Sequence, residues 1–113
     1  MPTPSRGEVW NGDLDPTRGR EQAGKRPLLV VSTDGFNHGP AELVVVLPIT
    51  SKDKRIPWHV PIHAGEGGLT RNSFIMCEAI RCVARERLAK RLGEVSESTT
   101  DEVELRLRML LEL

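Results

Sequence analysis

Short apolar runs separated by turn-forming residues dominate the chain up to position 95. Apolar and polar residues alternate in several runs, whereas 28–31 and 43–47 are continuously apolar. Alternation is typical of a half-buried strand, and a short continuous run is typical of a central strand buried on both faces. The pattern predicts strands at 7–14, 27–32, 43–50, 59–62, 73–83 and 91–95, and a short helical turn at 84–90. It favours a small β-sandwich or β-barrel.

The last part of the chain changes to a helical period. Thr99 and Glu102 have the spacing of a capping box, with Asp101 beside them at the positive end of the helix dipole. One apolar stripe consists of Val103, Leu107, Leu110 and Leu111, and a second of Leu105, Met109 and Leu113. The first stripe is expected to pack on the sheet. The second forms either the edge of that contact or a subunit interface, and the pattern does not choose between them.

Length and composition limit the possible architecture. With 113 residues and 38% hydrophobic side chains, the chain is expected to form one domain, 1–113, with a modest core of Val, Ile and Leu. A homodimer is a reasonable expectation for so small a domain. No apolar stretch is long enough to cross a membrane, so a soluble, cytoplasmic protein without a membrane partner is expected. Cys77 and Cys82 lie five positions apart in a predicted strand, which predicts opposite faces and no disulfide, with Cys82 semi-buried.

The formal net charge of +0 conceals an uneven distribution. The C-terminal part is acidic, whereas the body is mildly basic. The basic residues form three clusters: Arg18, Arg20, Lys25 and Arg26; Lys52, Lys54 and Arg55; and Arg81, Arg85, Arg87, Lys90 and Arg91. A single cluster of this kind is usually a solvated loop, but three in one small body favour a polyanionic partner such as a phosphate backbone.

The familiar catalytic motifs are absent from the sequence. It has no G-x-S-x-G, H-E-x-x-H, paired C-x-x-C or P-loop. His59 and His63 have a metal-binding spacing only on a helix; because Pro61 lies between them in a predicted strand, we expect both to be ordinary surface or edge residues. The sequence argues against a metalloenzyme and against a His-based nuclease. Trp10 is expected in the core, and Trp58, beside Pro57, to stack on bases.

An ordered set of segments resembles the MazF/PemK family of toxins. They are Arg6-Gly7-Glu8-Val9-Trp10, Asp13-Leu14-Asp15-Pro16-Thr17-Arg18-Gly19, Glu21-Gln22, Lys25-Arg26-Pro27-Leu28-Leu29-Val30-Val31-Ser32, Val46-Leu47-Pro48-Ile49-Thr50-Ser51, Leu69-Thr70-Arg71-Asn72-Ser73, Glu78-Ala79-Ile80-Arg81 and Arg87-Leu88. The resemblance spans essentially the whole chain. No single motif is decisive, but the ordered set is specific.

The resemblance implies a mainly β fold with α structure, a small SH3-like β-barrel with a C-terminal helix, assembled as a homodimer. It implies metal-independent, sequence-selective cleavage of single-stranded RNA without a cofactor, leaving a 2′,3′-cyclic phosphate and a 5′-hydroxyl. It also implies a MazE-like antitoxin whose flexible, acidic-hydrophobic tail blocks the RNA groove.

The same resemblance assigns roles to individual residues. Arg26 and Thr50 match the family's catalytic pair, with Ser51 assisting. A guanidinium can fork onto phosphate oxygens and a hydroxyl can add one oriented hydrogen bond. Because a guanidinium is a poor proton acceptor, we interpret Arg26 as an electrostatic clamp and proton donor. The general base is Glu21, a substrate phosphate oxygen or water, and the sequence leaves these three open.

The RNA-binding surface predicted from the sequence is larger than the catalytic pair. It comprises Arg18, Gln22, Lys25, Ser51, Lys52, Lys54, Arg55, Trp58, Glu78 and Arg81. Glu78 and Arg81 have odd spacing in the predicted strand 73–83, so they should face opposite sides. Many relatives have Gln where this chain has Ala79 and Asp where it has Asn72, which prevents the cut sequence from being inferred from a relative.

Two other functions are compatible with a small barrel. The related CcdB toxins share the fold but bind DNA gyrase, and a non-cleaving module would bind RNA with a strong salt dependence. The presence of Arg26 together with Thr50 favours the ribonuclease, because a pure binding protein does not need that pair.

Overall fold

The computed structural model describes residues 2–15 and 24–113. Its elements are β1 (Glu8–Asp13), β2 (Lys25–Val30), the single helical turn α1 (Asp34–Asn37), β3 (Leu43–Thr50), β4 (His59–Ile62), β5 (Ser73–Met76), β6 (Arg81–Ala84), β7 (Leu88–Glu94) and α2 (Glu97–Leu111), with 3₁₀ turns at Glu66–Gly68, Cys77–Ala79 and Arg85–Arg87. The antiparallel strands follow the order β4-β5-β3-β2-β1-β7, and β6 pairs with β3 beyond β5.

The mainly β fold with a C-terminal helix is confirmed. Among the described residues β4 and β7 are the two ends of the strand path, so the sheet does not close and the term SH3-like barrel fits only roughly. The strands curl around two clusters of buried side chains, one on each face of β2 and β3.

The two buried clusters explain why β2 and β3 are continuously apolar. Leu29 and Leu47 point to the cluster that also contains Val103 of α2, whereas Leu28 and Val30 point to the cluster containing Trp10. Because successive side chains of a strand alternate in direction, a strand between two cores needs apolar residues at every position. The predicted core position of Trp10 is confirmed, since its exposed fraction is 9%.

The prediction of one strand at 73–83 is wrong. β3 pairs Ile49 with Ile75 and Val46 with Arg81, so three steps along β3 correspond to six along its partner. The surplus residues form the 3₁₀ turn Cys77–Ala79. A period of two cannot reveal such an interruption, and the inferred opposition of Glu78 and Arg81 loses its basis.

Cys77 is the first residue of this turn, and Cys82 lies beyond it on β6. Cys77 is buried and Cys82 on β6 is exposed, which corrects the expectation that Cys82 is semi-buried. Burial raises the pKa of the Cys77 thiol to about 11, so this side chain behaves as a small apolar residue.

Two helical predictions also need correction. The turn expected at 84–90 is limited to Arg85–Arg87, because Leu88 already pairs with Gly12 in the β1–β7 ladder. Helix α2 is capped by Ser96, whose Oγ accepts the backbone N–H of Thr99 at 3.2 Å. The capping box of Thr99 and Glu102 was therefore wrong.

The real cap of α2 depends on a residue distant in the sequence. Glu66 Oε2 accepts hydrogen bonds from Thr99 Oγ1 at 2.5 Å, from Ser96 Oγ at 3.2 Å and from the Ser96 N–H at 3.1 Å. Burial raises the pKa of Glu66, but these hydrogen bonds outweigh it and leave the pKa below its ordinary value. The turn at Glu66 is thereby tied to the start of α2.

The two apolar stripes of α2 have different environments. Val103 is buried in the core and Leu107 packs against it. The exposed large side chains on and just beyond the helix are Leu105, Met109, Leu111 and Leu113. Leu105 and Met109 of the second stripe are thus exposed in the single chain, as residues of a subunit interface are expected to be.

Candidate active site

A cleft of about 390 Å³ opens at the end of the sheet where β2 begins and β3 ends. Its lining residues are Lys25, Arg26, Pro27, Ile49, Thr50, Ser51, Lys52, Leu69, Thr70, Arg71 and Ser73. Five of the residues predicted from the sequence therefore lie together, including both members of the predicted catalytic pair. Thr70 and Arg71 are additional.

Strand register brings Arg26 and Thr50 together. The antiparallel β2–β3 ladder ends with the pair Leu28 and Pro48; Arg26 lies two residues before that pair on β2, Thr50 lies two residues beyond it on β3, and both line the cleft. Two side chains separated by 24 positions in the sequence thus become neighbours on one surface.

The Thr50 hydroxyl is oriented by the turn that follows β3. Its Oγ1 accepts the backbone N–H of Lys52 at 3.2 Å. A hydroxyl that already accepts from the protein keeps its own hydrogen for another acceptor. The side chain is half-buried at the cleft, so that hydrogen is available as a donor to a bound ligand.

The cleft is basic. Lys25, Arg26, Lys52 and Arg71 contribute positive charge, and among residues 2–15 and 24–113 no acidic side chain lines it. A concave surface lined by one sign of charge concentrates ligands of the opposite sign. The side chains are those that bind phosphate, with arginine able to form a forked contact and lysine a point contact.

Arg71 and Thr70 reach the cleft from a loop held by close backbone packing. The 3₁₀ turn Glu66–Gly68 lies against β7, and a Cβ placed on Gly68 would lie 1.9 Å from Leu92 O. Gly68 also has φ +74°, in the left-handed region that favours glycine. The Asn72 side chain closes the loop by accepting the Ala64 N–H at 2.9 Å.

Sequence reasoning did not assign a role to either of these loop residues. The segment around Arg71 contributed to the family resemblance, but one cation after a glycine-rich loop carries no signal of its own. Arg71 reaches the ends of β2 and β3 only because the turn Glu66–Gly68 packs onto β7.

A second cleft of about 430 Å³ lies on the other side of the start of β2. It shares Lys25, Arg26 and Pro27 with the first cleft and extends to Arg87 and Lys90. Arg87 also has a structural role, because its Nη1 donates to Asp13 O at 3.2 Å and to Asp15 O. The basic surface therefore continues from β3 across Arg26 to β7.

The remaining predicted RNA-binding residues do not line the first cleft. Lys54 and Arg55 are exposed in the connection between β3 and β4, and Trp58 is half-buried at its end. Glu78 and Arg81 lie in and after the turn between β5 and β6. Arg18, Gln22 and the candidate base Glu21 lie outside the described residues.

His59 corrects a prediction. It lies on the end strand β4, but its side chain is buried, with an exposed fraction of 5%, rather than at the surface. Its Nε2 lies 2.8 Å from Glu78 Oε2. His63, in contrast, is exposed just after β4.

Comparison with known proteins assigns the family. The model of the PemK-like, MazF-like toxins of type II toxin–antitoxin systems matches residues 5–111. The chain belongs to this family. "Endoribonuclease EndoA" of Bacillus subtilis (strain 168) is 34% identical over 109 residues, covering 96% of this chain and 94% of the relative.

Solved structures of the family have the same fold. The crystal structure of MazF (Form-I) from Deinococcus radiodurans superposes with a TM-score of 0.89 at 29% identity and covers 100% of both chains. A MazE-MazF crystal structure (Form-II) from the same organism gives a TM-score of 0.82 at 29% identity, covering 100% of this chain and 99% of that one. The resemblance to MazF/PemK toxins is confirmed.

Two features are absent from the described part of the chain. No helix there has the length and apolar character needed to cross a membrane. Residues 2–15 and 24–113 also contain no group of three or more His, Cys, Asp or Glu side chains arranged to hold a metal ion.

Proposed function

We propose that this protein is the toxin of a type II toxin–antitoxin pair and that it acts as a metal-independent, sequence-selective endoribonuclease on single-stranded RNA. The observation that carries this proposal is that Arg26, near the start of β2, and Thr50, at the end of the neighbouring strand β3, line one basic cleft. Family membership and a relative named as an endoribonuclease support it.

The reaction uses the substrate's own 2′-hydroxyl as nucleophile. This oxygen attacks the adjacent phosphorus, its proton passes to a base, and the bond to the 5′-oxygen of the next nucleotide breaks. That oxygen leaves with a proton, which gives a 2′,3′-cyclic phosphate and a 5′-hydroxyl. The protein has to stabilise the additional negative charge on the pentavalent phosphorus and supply the proton transfers.

The residues of the cleft suit these tasks. The Arg26 guanidinium clamps the non-bridging oxygens and is a proton donor for the leaving oxygen, and the Thr50 hydroxyl donates a hydrogen bond to the same phosphate. Lys25, Lys52 and Arg71 hold the neighbouring phosphates by charge. Glu21, a phosphate oxygen and water all remain candidates for the base.

The assembly and partners are part of the same proposal. The protein is a single domain that forms a homodimer through the exposed second stripe of α2, works in the cytoplasm, and is inhibited by a MazE-like antitoxin. A solved complex of a relative with MazE supports the antitoxin. The exposed side chains Leu105, Met109 and Leu113 support the dimer.

The test is cleavage of a long, unstructured RNA in excess EDTA by the wild type, Arg26→Ala and Arg108→Ala. Arg108 is an exposed arginine on α2, so its removal changes the net charge equally without touching the cleft. Wild type and Arg108→Ala should give discrete fragments with cyclic phosphate ends, and Arg26→Ala should give none while keeping its fold. Intact RNA in all three reactions would reject the proposal and leave gyrase inhibition as the next assay.

A further inference from the structure

The hydrogen-bonded pair of the buried His59 and the partly exposed Glu78 has no place in the chemistry described above. The imidazole is 5% exposed, yet its Nδ1 has no hydrogen-bond partner in the described part of the chain. Its Nε2 lies 2.8 Å from Glu78 Oε2. A carboxylate only accepts hydrogen bonds, so the N–H lies on Nε2, which donates a hydrogen bond to Glu78 Oε2. Burying a histidine with one unsatisfied nitrogen costs stability, which suggests that its position serves another purpose.

Glu78 lies outside the strands, in the 3₁₀ turn Cys77–Ala79 that separates β5 from β6. Its side chain is 33% exposed, and His59 holds Oε2. The described residues provide no hydrogen-bond partner for the second oxygen, Oε1. The carboxylate therefore has one oxygen held by His59 and a second oxygen for which the described residues leave room for a ligand donor.

Strand pairing places His59 on the same face of the sheet as Thr50. Phe74 on β5 pairs with Thr50 on one side and with Pro61 on the other. His59 pairs with Met76, two residues along β5, and so projects from the same face as Pro61. The half-buried ring of Phe74 belongs to neither buried cluster and lies next to Thr50. An aromatic surface and an anchored carboxylate thus follow Thr50 along one face.

We propose that His59 is a positioning residue for base recognition. It fixes Glu78 so that Oε1 accepts a hydrogen bond from the amino group of a base that stacks on Phe74, beside the phosphate bound at Arg26 and Thr50. This inference rests on the proposed ribonuclease function and adds a specificity subsite to it. A carboxylate accepts from the exocyclic amino group of adenine, cytosine or guanine, whereas uracil has no amino group and offers only its N3–H as a donor.

The experiment deletes the hydrogen bond from each side. Short RNAs containing a cleavage site carry, one position at a time, a base that lacks only its amino group: purine for adenine, inosine for guanine, or 2-pyrimidinone for cytosine. The values of kcat/KM are measured for the wild type, His59→Leu and His59→Gln. Leucine removes the donor, whereas the glutamine amide can still donate to Glu78.

At one position the wild type should lose about ten- to a hundredfold in kcat/KM when the amino group is removed. His59→Leu should cleave the normal and the amino-deleted RNA at similar rates, and His59→Gln should restore most of the discrimination. If His59→Leu lowers kcat/KM by the same factor on the normal and on the amino-deleted RNA, the discrimination between them is unchanged. That result would show that His59 is purely structural and would overturn the inference. Thermal unfolding of each variant checks that it folds.

Glu78→Gln gives a second, opposite signature. The amide oxygen will accept from His59, so the –NH₂ group replaces Oε1 and turns the acceptor into a donor. The preference at this position should shift toward uracil, whose carbonyl accepts. Unchanged preference in this variant would also overturn the inference.

A binding measurement distinguishes failure of this inference from failure of the proposed ribonuclease function. The same RNAs with a 2′-deoxy sugar at the cut site cannot react, and their affinity is measured by fluorescence anisotropy. If the wild type cleaves no RNA, the ribonuclease proposal fails. An amino-group preference in binding that depends on His59 would still support the subsite, and its absence would reject it.

Discussion

Replacing the Thr50 hydroxyl by a methyl group tests the site most directly. Thr50→Val keeps the branched shape of the side chain but removes the donor aimed at the phosphate. In the folded protein it removes one hydrogen bond, the 3.2 Å contact from the Lys52 N–H to Oγ1. That N–H lies in an exposed turn and can bind water instead, so the free energy of unfolding should fall by only about 0.5–1 kcal/mol.

The effect on activity should be much larger than the effect on stability. Removing one oriented donor to a developing negative charge typically costs about 10²–10³ in kcat, or roughly 3–4 kcal/mol. Because the hydrogen bond strengthens as charge builds on the phosphate, kcat should carry the loss and KM should change little. The difference between the two energies identifies a role in the reaction rather than in the fold.

The assay is cleavage of a short fluorogenic RNA in EDTA, with thermal unfolding measured on the same samples. Thr50→Ser retains the hydroxyl and should remain within about tenfold of the wild type. Thr33→Val is the matched control, because Thr33 is exposed and its side chain makes no capping hydrogen bond to α1. A folded Thr50→Val with nearly wild-type kcat would refute the assignment of Thr50 as a donor to the phosphate.

The other predictions concern stability. Gly68→Ala should lower the free energy of unfolding by about 3 kcal/mol or more, because a Cβ there would lie 1.9 Å from Leu92 O. Gly65 has φ +100°, but nothing lies within 4 Å of a Cβ placed there, so Gly65→Ala should lower the free energy of unfolding only by the backbone strain of about 1–2 kcal/mol. Urea denaturation measures both variants, and an equal loss of unfolding free energy in the two would disprove the packing argument. Because the pKa of Glu66 is below its ordinary value of 4.5, its ionisation should stabilise the fold above that pH and lose this effect as pH falls through the folded-state pKa. Urea denaturation of Glu66→Gln should therefore show a deficit relative to the wild type that shrinks below pH 4.5, and a constant deficit would contradict the role of the charge.

Local patterns in the sequence determined most of the fold. The alternation of apolar residues located the strands, because a sheet with one buried face requires a period of two. Leu28–Val31 indicated a strand between two cores, and the structure has one there. Leu43–Leu47 indicated a second, but only Val44, Val46 and Leu47 belong to the buried clusters, and Leu43 is exposed. Arg26 and Thr50 were identified from the family's ordered motifs, since each lies at the end of an easily recognised buried strand.

Only the tertiary structure decided how these elements combine into a site. The three extra residues in the strand expected at 73–83 form a turn because β3 fixes the register on both sides of it. The same turn places Glu78 within hydrogen-bond distance of His59, 19 positions away in the sequence. Helix α2 is capped by Ser96 rather than by Thr99, and Glu66 binds both side chains from a distant loop. Arg71 joins the cleft because Gly68 lets its loop approach the β7 backbone. Each of these outcomes depends on contacts between residues far apart in the chain, which no local period or propensity contains.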